Sequence, residues 1–127
     1  MDAIRRALGR LSLLYALIFL AAALLHAGAG PGPLRQPPVP PAVIVEALCC
    51  AAMLTGAYGA LKARPWAWDG LIYTHAAALG GVLLGILATA LAPGTRGSTP
   101  LLWYHGTIAT FLAAGLGAAF YVSRVRR

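Results

Sequence analysis

The segment GLIYTHAAALGGVLLGILATALA, residues 70–92, decides the fold class of this chain. It carries no Asp, Glu, Lys or Arg, and a helix needs about 20 apolar residues to cross a hydrocarbon core. Three other apolar segments lie at about 11–29, 42–61 and 101–122. None alternates strictly between apolar and polar residues, and only a helix satisfies its own backbone within one segment in lipid. The sequence predicts an all-α integral membrane protein, with four transmembrane helices in a single domain over residues 1–127.

The composition agrees with a membrane protein and excludes several other classes. Hydrophobic residues make up 60% of the 127 residues and charged residues 10%, with a mean hydropathy of +0.76. Soluble domains carry about 25% charged residues, so this chain lacks the polar surface of a soluble enzyme, a disordered tail or a nucleic-acid-binding module. Although the net charge is +7, we expect the lipid bilayer and other membrane subunits or further copies of the chain as partners, and no nucleic acid.

Basic residues are distributed unevenly between the connections of the predicted spans. Those before the first span, between the second and third, and after the fourth all fall on one side: Arg5, Arg6, Arg10, Lys62, Arg64, Arg124, Arg126 and Arg127. Arg35 and Arg96 are the two on the other side. The positive-inside rule therefore predicts a multi-pass protein of the plasma (inner) membrane with both termini in the cytoplasm. The same charges attract anionic lipid headgroups.

The first apolar segment has a second interpretation. Basic residues, an apolar run and the sequence Ala27-Gly28-Ala29 together also resemble a secretory signal with its cleavage site. The apolar run is at the long end for a signal core, which favours a retained helix.

The connections predict how the helices are arranged. Most are short, so consecutive helices are expected to be neighbours in an antiparallel four-helix bundle. The exception is the proline-rich loop 30–41, in which residues 37–41 are expected to form a stiff polyproline II strap between two helices. A docking strip for a periplasmic partner is the alternative function of that loop.

Small residues at intervals of four indicate close helix contacts, because lipid tails are as apolar as leucine and helices in lipid associate through close packing. Gly81 and Gly85 form a GxxxG motif in the third span, and Gly56 belongs to a similar pattern in the second. The fourth span carries a comparable set, comprising Gly106, Thr110, Ala113, Ala114 and Gly117. We interpret all three patterns as seams inside the bundle, with homodimerisation through Gly81 and Gly85 as the alternative.

Three ionisable residues lie toward the outer side of the predicted spans, and such groups inside a membrane are candidate functional sites. His26 and Glu46 each lie about 24 Å above the inner basic residues at a rise of about 1.5 Å per residue, and His105 lies at about 28 Å. Three helices therefore bring His26, Glu46 and His105 to nearly the same depth. These are the main candidates for binding a ligand or a proton.

The second span adds softer groups on one helical face with Glu46. Cys49, Cys50 and Met53 follow it at the i+3, i+4 and i+7 positions. Together with His26 and His105, these ligand types suit a transition metal, copper being favoured by their softness. Haem ligation by the two histidines is a second cofactor hypothesis. Cysteine and methionine are also ordinary buried residues, so the same pattern fits a plain core.

Two further interpretations of the polar residues stay open. Glu46 with a histidine is a candidate for a proton-linked pair in a transporter, or for a hydrogen bond that locks the bundle. His75 lies toward the inner side of the third span near Tyr73, Thr74 and Tyr58. A quinone or proton pathway is one use for such groups, and a hydrogen bond to a neighbouring tyrosine is the favoured expectation.

The sequence leaves three functions open. The leading hypothesis is an accessory or interaction subunit of a larger membrane assembly, because the chain has small-residue seams and short loops and lacks catalytic motifs. The alternatives are a proton-coupled small-molecule transporter or channel formed by several copies around Glu46, and a metal- or haem-binding membrane protein. We expect no enzymatic activity.

Overall fold

The computed structural model describes residues 2–35, 37–91 and 99–125, and the regular structure within them is helical. The long helices are α1 (Asp2–His26), α2 (Pro40–Leu61), α3 (Ala67–Leu91) and α4 (Thr99–Val125). A short 3-10 helix, Gly32–Leu34, lies between α1 and α2. All four long helices are long and apolar enough to cross a membrane, which indicates a multi-pass membrane protein.

The ends of the helices differ from the predicted spans in ways that local chemistry explains. The first helix begins at Asp2 rather than near residue 11, because the basic segment continues the helix. It ends at His26, and Gly28 follows with a φ of 85°, a left-handed conformation that favours glycine. The second helix begins at Pro40, since proline is favoured in the first turn.

This start corrects the prediction of a polyproline strap over residues 37–41. Pro40 and Pro41 belong to the first turn of α2, so the extended segment before the helix is shorter than expected. The backbone N–H of Val39 donates to the carbonyl of His26 at 2.8 Å. This bond joins the start of α2 to the last residue of α1. The two ends of the connecting loop are therefore in direct contact.

Each long helix packs on the next one along the chain, and α1 also contacts α3 and α4. The main core lies where all four helices meet. Its fully buried members include Met53 of α2, Ala78 of α3 and Leu112 of α4, against Tyr15 and Phe19 of α1. A smaller cluster continues this core, comprising Leu8, Ala60, Leu71 and Ala119.

Glycines in α2 and α3 lie against side chains of neighbouring helices. A Cβ built on Gly81 would lie 2.6 Å from Cys49 Sγ, and one built on Gly85 would lie 3.1 Å from His105 Nε2. Gly56 lies against Thr74. The GxxxG motif of α3 therefore faces α2 with one glycine and α4 with the other, within the same chain.

The small residues of α4 are placed differently from the prediction. Gly106 and Gly117 have open space around the position of a Cβ, and Thr110, Ala113 and Ala114 are exposed. The inward face of α4 is instead formed by Ile108, Leu112, Gly115, Ala119 and Val122. The internal-seam interpretation of the Gly106 set is therefore wrong. Both faces of α4 offer small residues, and larger apolar side chains fill the core better.

One charged side chain is buried at the other end of the α1–α2 contact. The guanidinium of Arg5 donates to the carbonyl of Ala60, and it lies 3.3 Å from the carboxylate of Asp2. The last carbonyls of a helix have no partner within it, so a guanidinium at this position satisfies one of them.

Candidate functional site

The most clearly formed polar contact joins the last residue of α1 to the second turn of α2. His26 Nδ1 lies 2.9 Å from Glu46 Oε1 and 2.8 Å from Glu46 Oε2. The side chains of His26 and Glu46 are 22% and 11% exposed. Two of the three ionisable residues that the sequence places at one depth are thus in direct contact.

The position of the pair follows from how α1 ends and α2 begins. The hydrogen bond from Val39 to the His26 carbonyl holds these two ends together, and Glu46 lies about two turns into α2 on its buried face. One imidazole N–H directed at both carboxylate oxygens is a charge-assisted contact when the histidine is protonated. In chemical terms the pair can stabilise the bundle and can share a proton.

Tyr104 and Cys49 of the core lie near Glu46 of this pair. Tyr104 of α4 lies within electrostatic reach of both Glu46 and Cys49 and packs against the main core. Tyr104 is not among the site residues predicted from the sequence, so its position near Glu46 was missed. A tyrosine one helix away carries no periodic signal that would have revealed it.

His105 is positioned by the contact between α3 and α4. Its imidazole lies against Gly85, and its ring is edge-on to Tyr104 with ring centroids 5.1 Å apart. The lack of a side chain at Gly85 is what admits the imidazole at this depth. His105 is therefore linked to Tyr104, which in turn is close to Glu46.

The sulfur-containing residues of α2 lie in the core. Cys49 and Met53 are buried, Cys50 is half-buried beside them, and Cys49 Sγ lies 3.9 Å from the carbonyl of Ala78. Within residues 2–35, 37–91 and 99–125, no three His, Cys, Asp or Glu side chains are grouped as a metal ion requires. The copper hypothesis therefore has no geometric support in that part of the chain.

A second polar site lies deeper in the bundle, around His75. Its side chain is fully buried, and Nδ1 donates to the carbonyl of Leu71 at 2.8 Å. Its ring is edge-on to Tyr15 of α1, with ring centroids 6.0 Å apart and an interplanar angle of 85°. A Cβ on Gly115 of α4 would lie 2.8 Å from His75 Nε2. Three helices thus enclose this imidazole.

The predicted tyrosine neighbours of His75 do not join this site. Tyr73 is 72% exposed, and Tyr58 accepts a hydrogen bond from Arg64 on the bundle surface at 2.6 Å. The Thr74 hydroxyl donates to the carbonyl of Gly70 on its own helix at 2.7 Å. The tyrosine beside His75 is Tyr15, sixty positions away in sequence, and the expected hydrogen bond to a tyrosine is replaced by the bond to Leu71.

Comparisons of the chain with models of protein families, with curated proteins and with solved structures find no match.

Proposed function

We propose that the chain is an antiparallel four-helix bundle of the inner membrane with both termini in the cytoplasm. The contacts between ends support the antiparallel order of α1 and α2, since Arg5 near the start of α1 meets Ala60 near the end of α2. At the opposite ends of the same helices, His26 meets Glu46. The uneven distribution of basic residues supports the orientation.

We further propose that this bundle is a non-catalytic accessory subunit, which binds a transmembrane helix of a larger membrane assembly through the outer face of α4. The observation that carries this proposal is the open face around Gly106 and Gly117. It lies opposite the inward face formed by Ile108, Leu112 and Ala119.

The small residues on this face favour contact with another helix over contact with lipid. Gly106, Thr110, Ala113 and Gly117 recur every three or four residues and so form one stripe about 16 Å long, at about 1.5 Å per residue. Stripes of small residues allow the backbones of two transmembrane helices to approach closely, and the resulting van der Waals contact drives association in lipid. The hydroxyl of Thr110 donates to the carbonyl of Gly106 at 2.8 Å, so it is satisfied on the exposed surface.

The glycines of α3 support the choice of α4 over a dimer through GxxxG. Gly81 and Gly85 are already covered by Cys49 and His105 of the same chain. At Gly106 and Gly117 no neighbouring side chain lies within 4 Å of a Cβ, so both positions are open to a helix of another protein. The bundle therefore uses one set of small residues to close itself and leaves the other set open.

Native mass spectrometry of the full chain, purified in mild detergent from its own cells, tests this proposal. We expect a stoichiometric complex with a second membrane protein, which is lost in the double variant Gly106→Leu/Gly117→Leu. Gly80→Leu is the matched control, because Gly80 of α3 also has open space around it and lies outside the α4 stripe. A chain found alone, found only with further copies of itself, or bound equally well in both variants contradicts the proposal.

The second candidate function is proton-coupled transport at Glu46, and the observation that favours it is the His26–Glu46 contact. A carboxylate and an imidazole 2.8 Å apart form a pair of titratable groups in a largely apolar bundle. In liposomes, Glu46→Gln would abolish proton-coupled flux while Asp69→Asn, at the exposed start of α3, would not. Flux that is unchanged in Glu46→Gln removes this function.

A further inference from the structure

The centre of the bundle contains two polar atoms that make no hydrogen bond with the residues that the structure describes. They are Tyr15 Oη and His75 Nε2, and both are inaccessible to solvent. Tyr15 is 3% exposed and His75 is 0% exposed. Buried polar groups in folded proteins are almost always paired, so two such atoms on neighbouring rings need an explanation.

The bonds already formed determine whether each of these atoms is left to donate or to accept a hydrogen bond. Because Nδ1 of His75 donates its proton to the carbonyl of Leu71, a neutral imidazole presents Nε2 as an acceptor. The hydroxyl of Tyr15 supplies a donor. A molecule that bridges the two must therefore accept one hydrogen bond and donate another.

The α4 helix passes close to the same edge of the imidazole. The edge of His75 that carries Nε2 faces Gly115, where a Cβ would lie 2.8 Å from both Nε2 and Cδ2. Any side chain at residue 115 would occupy the space beside Nε2. Gly115 is therefore the residue that allows α4 to pack closely against this edge of the imidazole.

We propose that one buried water molecule binds at this point, accepting from Tyr15 Oη and donating to His75 Nε2. Water is the smallest molecule with both an acceptor and a donor, and buried waters make two to four hydrogen bonds to otherwise unpaired groups. The burial of both rings excludes a larger ligand. A metal ion is not favoured, because no three His, Cys, Asp or Glu side chains are grouped within the described ranges.

This site is independent of the α4 face that carries the proposed function. Tyr15, His75 and Gly115 are buried, whereas Gly106 and Gly117 are exposed. Loss of partner binding and loss of the water are therefore separate results, measured on separate variants.

Solid-state NMR of the full chain in lipid bilayers tests the water site. Selective labelling of threonine and histidine identifies His75, because Thr74–His75 is the only such pair in the sequence. We expect Nδ1 to carry the proton, Nε2 to be a hydrogen-bonded acceptor, and magnetisation to pass from water to the ring. A proton on Nε2, or no transfer from water, overturns the proposal.

Two variants and a control sharpen this result. Tyr15→Phe keeps the ring and removes one of the two hydrogen-bonding partners, so the transfer from water to His75 is expected to fall by about half or more. Gly115→Ala places a methyl group beside Nε2 and is expected to abolish the transfer. Gly80→Ala, at a glycine with open space outside the α4 stripe, is expected to leave it unchanged. Undiminished transfer in both Tyr15→Phe and Gly115→Ala contradicts the proposed position of the water.

Discussion

Two histidines of the bundle, the half-buried His26 and the fully buried His75, have different polar surroundings. His26 directs Nδ1 at both oxygens of Glu46, near the ends of two helices. His75 lies deep among three helices, where one ring nitrogen is bonded to Leu71 and the other lies beside Gly115 and makes no hydrogen bond with the described residues.

The difference shows what each site can do. A carboxylate and an imidazole that bond each other mainly stabilise the structure and specify how the helices pack. A buried group with an open position costs stability unless something else supplies the missing bond. The first site is therefore suited to holding α1 and α2 together, and the second is suited to binding a small molecule.

The largest effect is expected from filling the space beside His75. Gly115→Leu forces a side chain into the imidazole, and overpacking of a core costs about 1–3 kcal/mol and occasionally more. We expect about 3 kcal/mol of destabilisation, measured by unfolding the full chain in mixed micelles of increasing SDS content. A stability equal to that of the unmodified chain would show that α4 does not face His75 at this residue.

A smaller loss is expected from breaking the paired site. Glu46→Leu leaves the His26 N–H without its acceptor, and a buried unpaired donor costs about 1–3 kcal/mol. We expect about 2 kcal/mol in the same SDS titration. Glu46→Gln is the matched control and should lose less, because its amide oxygen still accepts from His26. Equal losses in the two variants would contradict a role for this hydrogen bond.

Removing the tyrosine hydroxyl tests whether Tyr15 has a hydrogen-bonding partner at the His75 site. Tyr15→Phe keeps the edge-on ring contact with His75 and removes one hydrogen bond to the proposed water, which is worth about 1 kcal/mol. If Tyr15 Oη has no bonding partner of any kind, the same variant should instead stabilise the chain. The sign of the change in unfolding free energy is thus the measurement.

The smallest effect on the bundle is expected on the outer face of α4. Gly117→Leu meets open space, so the free energy of unfolding should change by less than about 0.5 kcal/mol. Measured beside Gly115→Leu, it compares the two faces of one helix. A loss as large as that of Gly115→Leu would show that Gly117 is packed against the bundle.

The sequence predicts the His26–Glu46 contact in part, because helical rise alone gives the depth of each residue. It does not predict that Tyr15 meets His75. The two lie on separate helices, and their pairing depends on how α1 and α3 are rotated. It also assigns Gly106 and Gly117 to the inside of the bundle, where the structure has Gly115.

The amino-acid sequence by itself determined that this chain has four helices able to cross a membrane, since length and hydropathy are sums over residues and need no knowledge of contacts. Only the tertiary structure decided which face of each helix is buried. In lipid the outside of a helix is as apolar as its inside, so hydrophobic periodicity, which reveals the buried face in water, carries little information here. That packing alone places Tyr15 and Gly115 next to His75.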